Sequence, residues 1–103
     1  MASGYCYILE CADGTYYVGS TTNMAARLWQ HQHGPDGAAY TRKRRPVQLV
    51  WCVEFPSIVE AFNFEKRVQG WRRARREALI RGEFDRLPAL ASRRTIDPGD
   101  FRL

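Results

Sequence analysis

Residues 5–19 read Tyr5-Cys-Tyr-Ile-Leu-Glu-Cys-Ala-Asp-Gly-Thr-Tyr-Tyr-Val-Gly19, in which two β-rich runs, 5–9 and 15–19, flank the turn sequence Ala12-Asp13-Gly14. A hairpin over 4–20 follows. If Tyr7 pairs with Tyr17, then Glu10 faces Gly14 and residues 11–13 form a three-residue loop, an allowed hairpin length. Both phenols then lie on one face, because strand side chains alternate.

Working outward, Asn23 is a good cap for a helix over 24–33, and Gly34-Pro35 ends it. Its apolar stripe runs through Met24, Ala25 and Leu28, with Arg27 and His31 one turn apart on the stripe's edge, so both reach a common cleft. Residues 34–46 read as a glycine- and arginine-rich loop containing Thr41-Arg42-Lys43-Arg44-Arg45. Residues 47–55 are almost continuously apolar, which suits a strand covered on both faces by helices. The capping-box pattern Ser57-Ile-Val-Glu60, directly after Pro56, opens a helix to about Gly70. A third helix, arginine-rich from Arg72 to Arg76, stops near Gly82. Phe84, Leu87 and Leu90 take no assigned element. The elements make an α/β (α+β) domain over 1–90, and the polar, Pro/Gly-containing segment 91–103 is expected to be a loosely held tail.

Composition bounds the function. A chain of 103 residues, 45% hydrophobic, fits one domain that buries roughly 60–70% of its unfolded surface and has no second core. The net charge of +5 comes mainly from arginine, whose planar fork suits phosphate, so a polyanionic partner is expected. Charge alone barely separates this from an ordinary basic protein. The three cysteines, Cys6, Cys11 and Cys52, have no C-x-x-C spacing and sit in strand-like segments, where small buried apolar residues belong. Their odd number, with no signal-peptide pattern, argues for a reducing compartment and a cytoplasmic protein. The run 5–9 is too short to span a membrane.

Placed on a helical wheel, Ile58, Ala61, Phe62 and Val68 form a stripe with Glu65 in its middle. A carboxylate among apolar side chains must be neutralised, paired with a cation or bound to a metal, since burying it alone costs several kcal/mol. A structural ion pair with an arginine from another element satisfies that demand, and so does a divalent ion. One carboxylate is a thin site for zinc but suits Mg²⁺, which keeps most of its waters and takes substrate phosphate for the rest. Such a site holds its ion loosely without nucleic acid. Arg27 is suited to bidentate binding of a phosphate, and His31 to accepting a proton or orienting a phenol; the neighbouring His33 has only proximity in its favour. Tyr7 and Tyr17 are packing candidates first, because a free phenol has a pKa of about 10. Cations from Arg27, His31 and a metal at Glu65 are expected to favour phenolate character, letting one tyrosine deprotonate an attacking water. Together these are the groups that cleave a phosphodiester.

The run Cys6-Tyr7-Ile8-Leu9, then Tyr17-Val18-Gly19, Arg27-Leu-x-x-His31, Tyr40-Thr41-Arg42 before Arg45-Pro46, and Glu65 resembles the GIY-YIG endonuclease domain, especially its small stand-alone bacterial subfamily. The similarity runs over about 5–80. It implies a small three-stranded antiparallel sheet flanked by helices, with metal-dependent hydrolysis of DNA phosphodiesters on one sheet face. By the same resemblance Tyr7 and Tyr17 match the motif tyrosines, one of them the general base. Arg27 matches the phosphate-binding arginine, His31 its helper, and Glu65 the sole ligand of a single Mg²⁺ or Mn²⁺. The chain departs from the pattern in three places. The first triad lacks its glycine and isoleucine, reading Tyr5-Cys6-Tyr7; Gln69 stands where relatives often carry lysine; and no downstream asparagine is matched.

Arg42, Lys43, Arg44, Arg45, Arg72 and Arg73 are expected to contact phosphates without reading sequence, on branched or nicked duplex DNA if shape is what is recognised. A non-catalytic nucleic-acid-binding module that keeps this fold is the main rival reading, with a protein-interaction domain behind it.

Overall fold

Strand β1 (Gly4–Glu10) sits between β2 (Tyr16–Thr21) and β3 (Gln48–Phe55), antiparallel to both. The computed structural model describes residues 3–35, 37–82 and 94–96. Between β2 and β3 lie helices α1 (Met24–His33) and α2 (Ala39–Arg42); after β3 come α3 (Ile58–Gln69) and α4 (Arg73–Ile80). The expected three-stranded antiparallel sheet is present. A short fourth strand, β4 (Arg94–Ile96), pairs with β3 inside the segment read as a tail, giving the order β2-β1-β3-β4. The rest of that tail, and Phe84, Leu87 and Leu90, lie outside the described residues.

The hairpin register differs from the expected one. Leu9 pairs with Tyr17 and Tyr7 with Gly19, so the connection is the longer 11–15. The cause is local. Asp13 Oδ1 accepts from both the Thr15 amide (3.1 Å) and the Thr15 hydroxyl (2.6 Å), the Cys11 amide bonds Thr15 O at 2.8 Å, and Gly14 takes a positive φ of 81°. A shift of two preserves parity, so the phenols still share a face.

The apolar run of β3 serves two cores because of a register shift. Ile8 pairs with Trp51 and Leu9 with Leu49, leaving Val50 as a bulge residue. Trp51, Val53 and Phe55 therefore join Cys6, Ile8, Val18, Ala61, Phe64 and Val68 beneath α3 and α4. Cys52, Leu49 and Val47 join Tyr7, Leu9, Met24 and Leu28 beneath α1. The helix limits match the capping residues: Asn23 Oδ1 accepts from the Ala26 amide at 3.1 Å and Ser57 from the Glu60 amide at 3.3 Å. On α3 the buried stripe is Ala61, Phe64, Glu65 and Val68, whereas Phe62 is exposed and its expected place is taken by Phe64. The loop read over 34–46 contains α2. Among the described residues no helix is long and apolar enough to cross a membrane.

All three thiols are buried and unpaired, and burial pushes Cys6, Cys11 and Cys52 above the usual thiol range. Native protein is therefore expected to react with less than one equivalent of Ellman's reagent within minutes, and with all three thiols once unfolded in guanidinium. Rapid labelling of the native protein contradicts the core assignment.

Candidate active site

The register of the hairpin sets the site, because it places Tyr7 directly opposite Gly19 on β2. A side-chain carbon on Gly19 would collide with the Tyr7 hydroxyl, so the ring lies across the strand only because glycine stands there. From that position Tyr7 Oη meets His31 Nε2 at 2.8 Å, and His31 Nδ1 meets Thr41 Oγ1 at 2.8 Å. The Thr41 hydroxyl in turn donates to the Ala38 carbonyl at 3.0 Å. All three side chains are at most 1% exposed, so a line of polar groups crosses the layer between sheet and α1.

Burial dominates their protonation. The Tyr7 phenol is pushed well above its ordinary value by desolvation and by Tyr17, against the hydrogen bond and charge of Arg27. Arg27 opposes that rise without cancelling it. His31 is pushed down to about 4 by desolvation and by the charges of Arg27 and Arg45, so it is neutral at pH 7 instead of titrating near neutrality. Tyr17 is half-buried, its ring centroid 5.0 Å from His31, 6.4 Å from Tyr7 and 6.1 Å from Tyr40. Arg27 also bonds Gln30 Oε1 at 2.9 Å. His33 is exposed against Trp29 and takes no part.

Glu65 arrives from the other side of the sheet. It is 8% exposed, and Oε1 accepts from the Ser20 hydroxyl at 2.6 Å while Oε2 accepts from the Gln69 amide at 2.7 Å. Lys66 lies 3.7 Å from Oε2, so a lysine next in sequence, rather than an arginine from another element, is the ion-pair partner. Ser20 faces α3 because it alternates with Gly19. The five predicted residues therefore do not share one sheet face: Tyr7, Tyr17, Arg27 and His31 lie on the α1 side and Glu65 on the α3 side. Among the described residues β2 is the edge strand of the sheet, and the charge of Glu65 is still felt across it at the Tyr7 phenol. A groove of about 230 Å³ crosses that edge, lined by Tyr16, Tyr17, Val18, Tyr40, Gln69 and Arg76.

Among the described residues no three His, Cys, Asp or Glu side chains gather around one point, which leaves no shell for zinc. A single carboxylate each of whose oxygens accepts one side-chain hydrogen bond fits a hard, mostly hydrated ion. Ser20, Thr41 and Gly19 also build the site, with roles that their residue types alone do not reveal. Alternation after Tyr17 could have marked Ser20 as facing α3, but nothing in the sequence pairs Thr41 with His31.

The family model of the GIY-YIG catalytic domain matches residues 3–78, spanning every residue of this arrangement. The chain belongs to the GIY-YIG family. This is a family of nucleases, so nucleic acid is the substrate class. Similar proteins include a UPF0213 protein of Halobacterium salinarum, 47% identical over 74 residues, which are 72% of this chain and 95% of the relative. Another, from Streptococcus pneumoniae, is 43% identical over 82 residues, 80% of this chain and 82% of the relative. The solution NMR structure of the UPF0213 protein BH0048 from Bacillus halodurans has a TM-score of 0.51 at 39% identity, covering 86% of this chain and 97% of that one.

Within this GIY-YIG domain the basic residues divide by role. Arg45 donates to the carbonyls of His31 (2.7 Å), Gln30 (3.0 Å) and Gly34 (2.7 Å), closing the C-terminus of α1. Arg44 pairs with Asp13 at 3.1 Å and lies 3.8 Å over the Tyr40 ring. Arg73 bonds Glu77 (3.2 Å) and the Gly14 carbonyl (2.8 Å). These three are tied into the structure, which their place in the sequence did not distinguish from phosphate contacts. Arg42, Lys43 and Arg72 are exposed, with Arg42 resting on the Pro35 carbonyl at 3.1 Å.

Two outcomes follow. Arg45→Ala leaves the last carbonyls of α1 without their charged donor and is expected to lower stability by about 2–4 kcal/mol; an unchanged urea midpoint contradicts the capping role. Because the folded pKa of His31 lies below its unfolded value of 6.5, the unfolded chain gains the proton first as pH falls. Stability is thus full above about 6.5 and declines toward pH 4, by up to about 1.4 kcal/mol per unit. Urea titrations should show a clearly smaller decline in His31→Gln; equal declines contradict it.

Proposed function

We propose that the domain is a divalent-metal-dependent endonuclease or nickase acting on DNA phosphodiester bonds around the edge of β2. The observation that supports it is a guanidinium against a phenol with a neutral imidazole behind it on one face of the sheet, and one hydrogen-bonded carboxylate that reaches the same strand from the other face. Arg27 binds the scissile phosphate, and drawing it onto the phosphate uncovers the Tyr7 oxygen it lies against. Tyr7 takes a proton from the attacking water as its own proton passes to His31, and the hydroxide attacks in line. Tyr17 and Tyr40 form an aromatic wall along the groove, against which bases stack. Glu65, oriented by Ser20 and Gln69, would hold Mg²⁺ or Mn²⁺ together with waters and a phosphate oxygen. When bound, such an ion supplies charge neutralisation at the phosphate. Arg42, Lys43 and Arg72 add sequence-independent backbone contacts, so shape, as in branched or nicked duplex, decides the preferred substrate. Three buried free thiols suit the reducing cytoplasm.

One observation favours a second reading, a binding module without turnover: both oxygens of Glu65 already accept hydrogen bonds. The experiment that separates the two incubates purified protein with plasmid, nicked and flapped DNA, with Mg²⁺ or Mn²⁺ or with EDTA, beside Arg27→Ala and Glu65→Gln. Metal-dependent cleavage that falls about 100-fold or more in both variants supports the nuclease. Equal cleavage by the variants, or salt-sensitive binding with no cleavage of any substrate, overturns it.

A further inference from the structure

We propose that Thr41 is a positioning residue that holds His31 in the tautomer protonated on Nδ1, so that a bare Nε2 faces the Tyr7 hydroxyl as its proton acceptor. The catalytic part of this rests on the proton-transfer role of Tyr7 and His31 given above; the tautomer itself does not.

Proton counting carries it. A neutral His31, Tyr7 and Thr41 hold one polar hydrogen each along a single line of contacts. Thr41 has one hydrogen, and it is spent on the Ala38 carbonyl at 3.0 Å. The Thr41 oxygen, 2.8 Å from Nδ1, therefore acts as acceptor, which puts the imidazole hydrogen on Nδ1. Nε2 is left with its lone pair, 2.8 Å from the phenolic oxygen. In this order each of the three hydrogens has an acceptor. The reverse order turns Thr41 toward Nδ1 and Nε2–H toward the phenol, whose own hydrogen then points toward Arg27, a group that can only donate. With Tyr7 and His31 both buried, that orphaned hydroxyl is costly. Thr41 reaches His31 because α2 folds back across the end of α1, where Arg45 ties the same stretch of chain to the His31 and Gln30 carbonyls.

The step it enables is balanced. The Tyr7 O–H bond breaks, a bond forms from that hydrogen to Nε2, and the phenolic oxygen takes up the proton of the attacking water. The products are hydroxide at the phosphate and an imidazolium whose Nδ1–H still has Thr41 as acceptor. Release of the proton from Nε2 resets the pair.

Thr41→Val keeps the shape and removes the acceptor, while the Ala38 carbonyl retains the Arg42 amide at 3.0 Å. The chain has two histidines, so long-range ¹H–¹⁵N spectra of uniformly labelled protein separate buried His31 from exposed His33. The expected result at pH 7 is an Nδ1-protonated His31 in the parent and in Thr41→Ser, and a mixed or Nε2-protonated ring in Thr41→Val. An Nε2-protonated parent, or the same tautomer in Thr41→Val, overturns the proposal, and needs no turnover to do so. With cleavable DNA, kcat should fall about 10-fold or more in Thr41→Val with KM unchanged, and be restored in Thr41→Ser. An unchanged kcat beside a changed tautomer overturns the catalytic part. Should Thr41→Val not fold, Thr41→Ala takes its place, and the parent spectrum alone still decides the tautomer.

Discussion

The contact on which the site depends is the bond from Tyr7, laid across Gly19, to His31 on α1. It joins the sheet to a helix through an apolar layer that includes Leu9, Met24, Leu28 and Val47. In such surroundings a polar group is tolerable only if its partners are complete, and the line continues to Thr41 and the Ala38 carbonyl until each polar group is matched. The same burial raises the phenol and lowers the imidazole. Both rest in their neutral forms.

Edge position is the second constraint. A sheet separates what lies on its two faces; the phenols, on strands β1 and β2, point to the α1 face, and the acid comes from α3 on the other. Both reach β2, which among the described residues is the edge strand: Tyr7 lies across Gly19, and Glu65 accepts from Ser20. Ser20 and Gln69 then turn the Glu65 carboxylate toward that edge with two short bonds, the Gln69 amide also reaching the Val18 carbonyl of the strand at 3.3 Å. Where a lysine would place a charge, Gln69 places a neutral donor, which orients the acid without neutralising it.

The arginines show how little a count of charges says about roles. Residues 42–45 form one basic run in the sequence, yet Arg45 is consumed by two carbonyls of α1 and that of Gly34 just after it, and Arg44 by Asp13 and Tyr40, while Arg42 and Lys43 face water. An arginine fork bonded to helix carbonyls near Thr41 is part of what brings that residue to His31.

Local chemistry alone determined most of the elements, though not α2 or β4: the Asp13-Gly14 turn, the Asn23 and Ser57 caps, the apolar run of β3 and the helical spacing of Arg27 and His31 are short-range facts, and each reappears in the structure. The family resemblance was carried by the same short-range residues. What depended on the whole fold was everything set by register or by packing across the sheet. The hairpin shift by two, the bulge at Val50, the exchange of Phe62 for Phe64 in the buried stripe, the approach of Glu65 from the far face and the Thr41–His31 bond all depend on distant partners. Sequence periodicity specifies which side of its own element a residue occupies. It carries no information on which other element that side will meet, since that is decided by closure of the sheet and the helices packing over it.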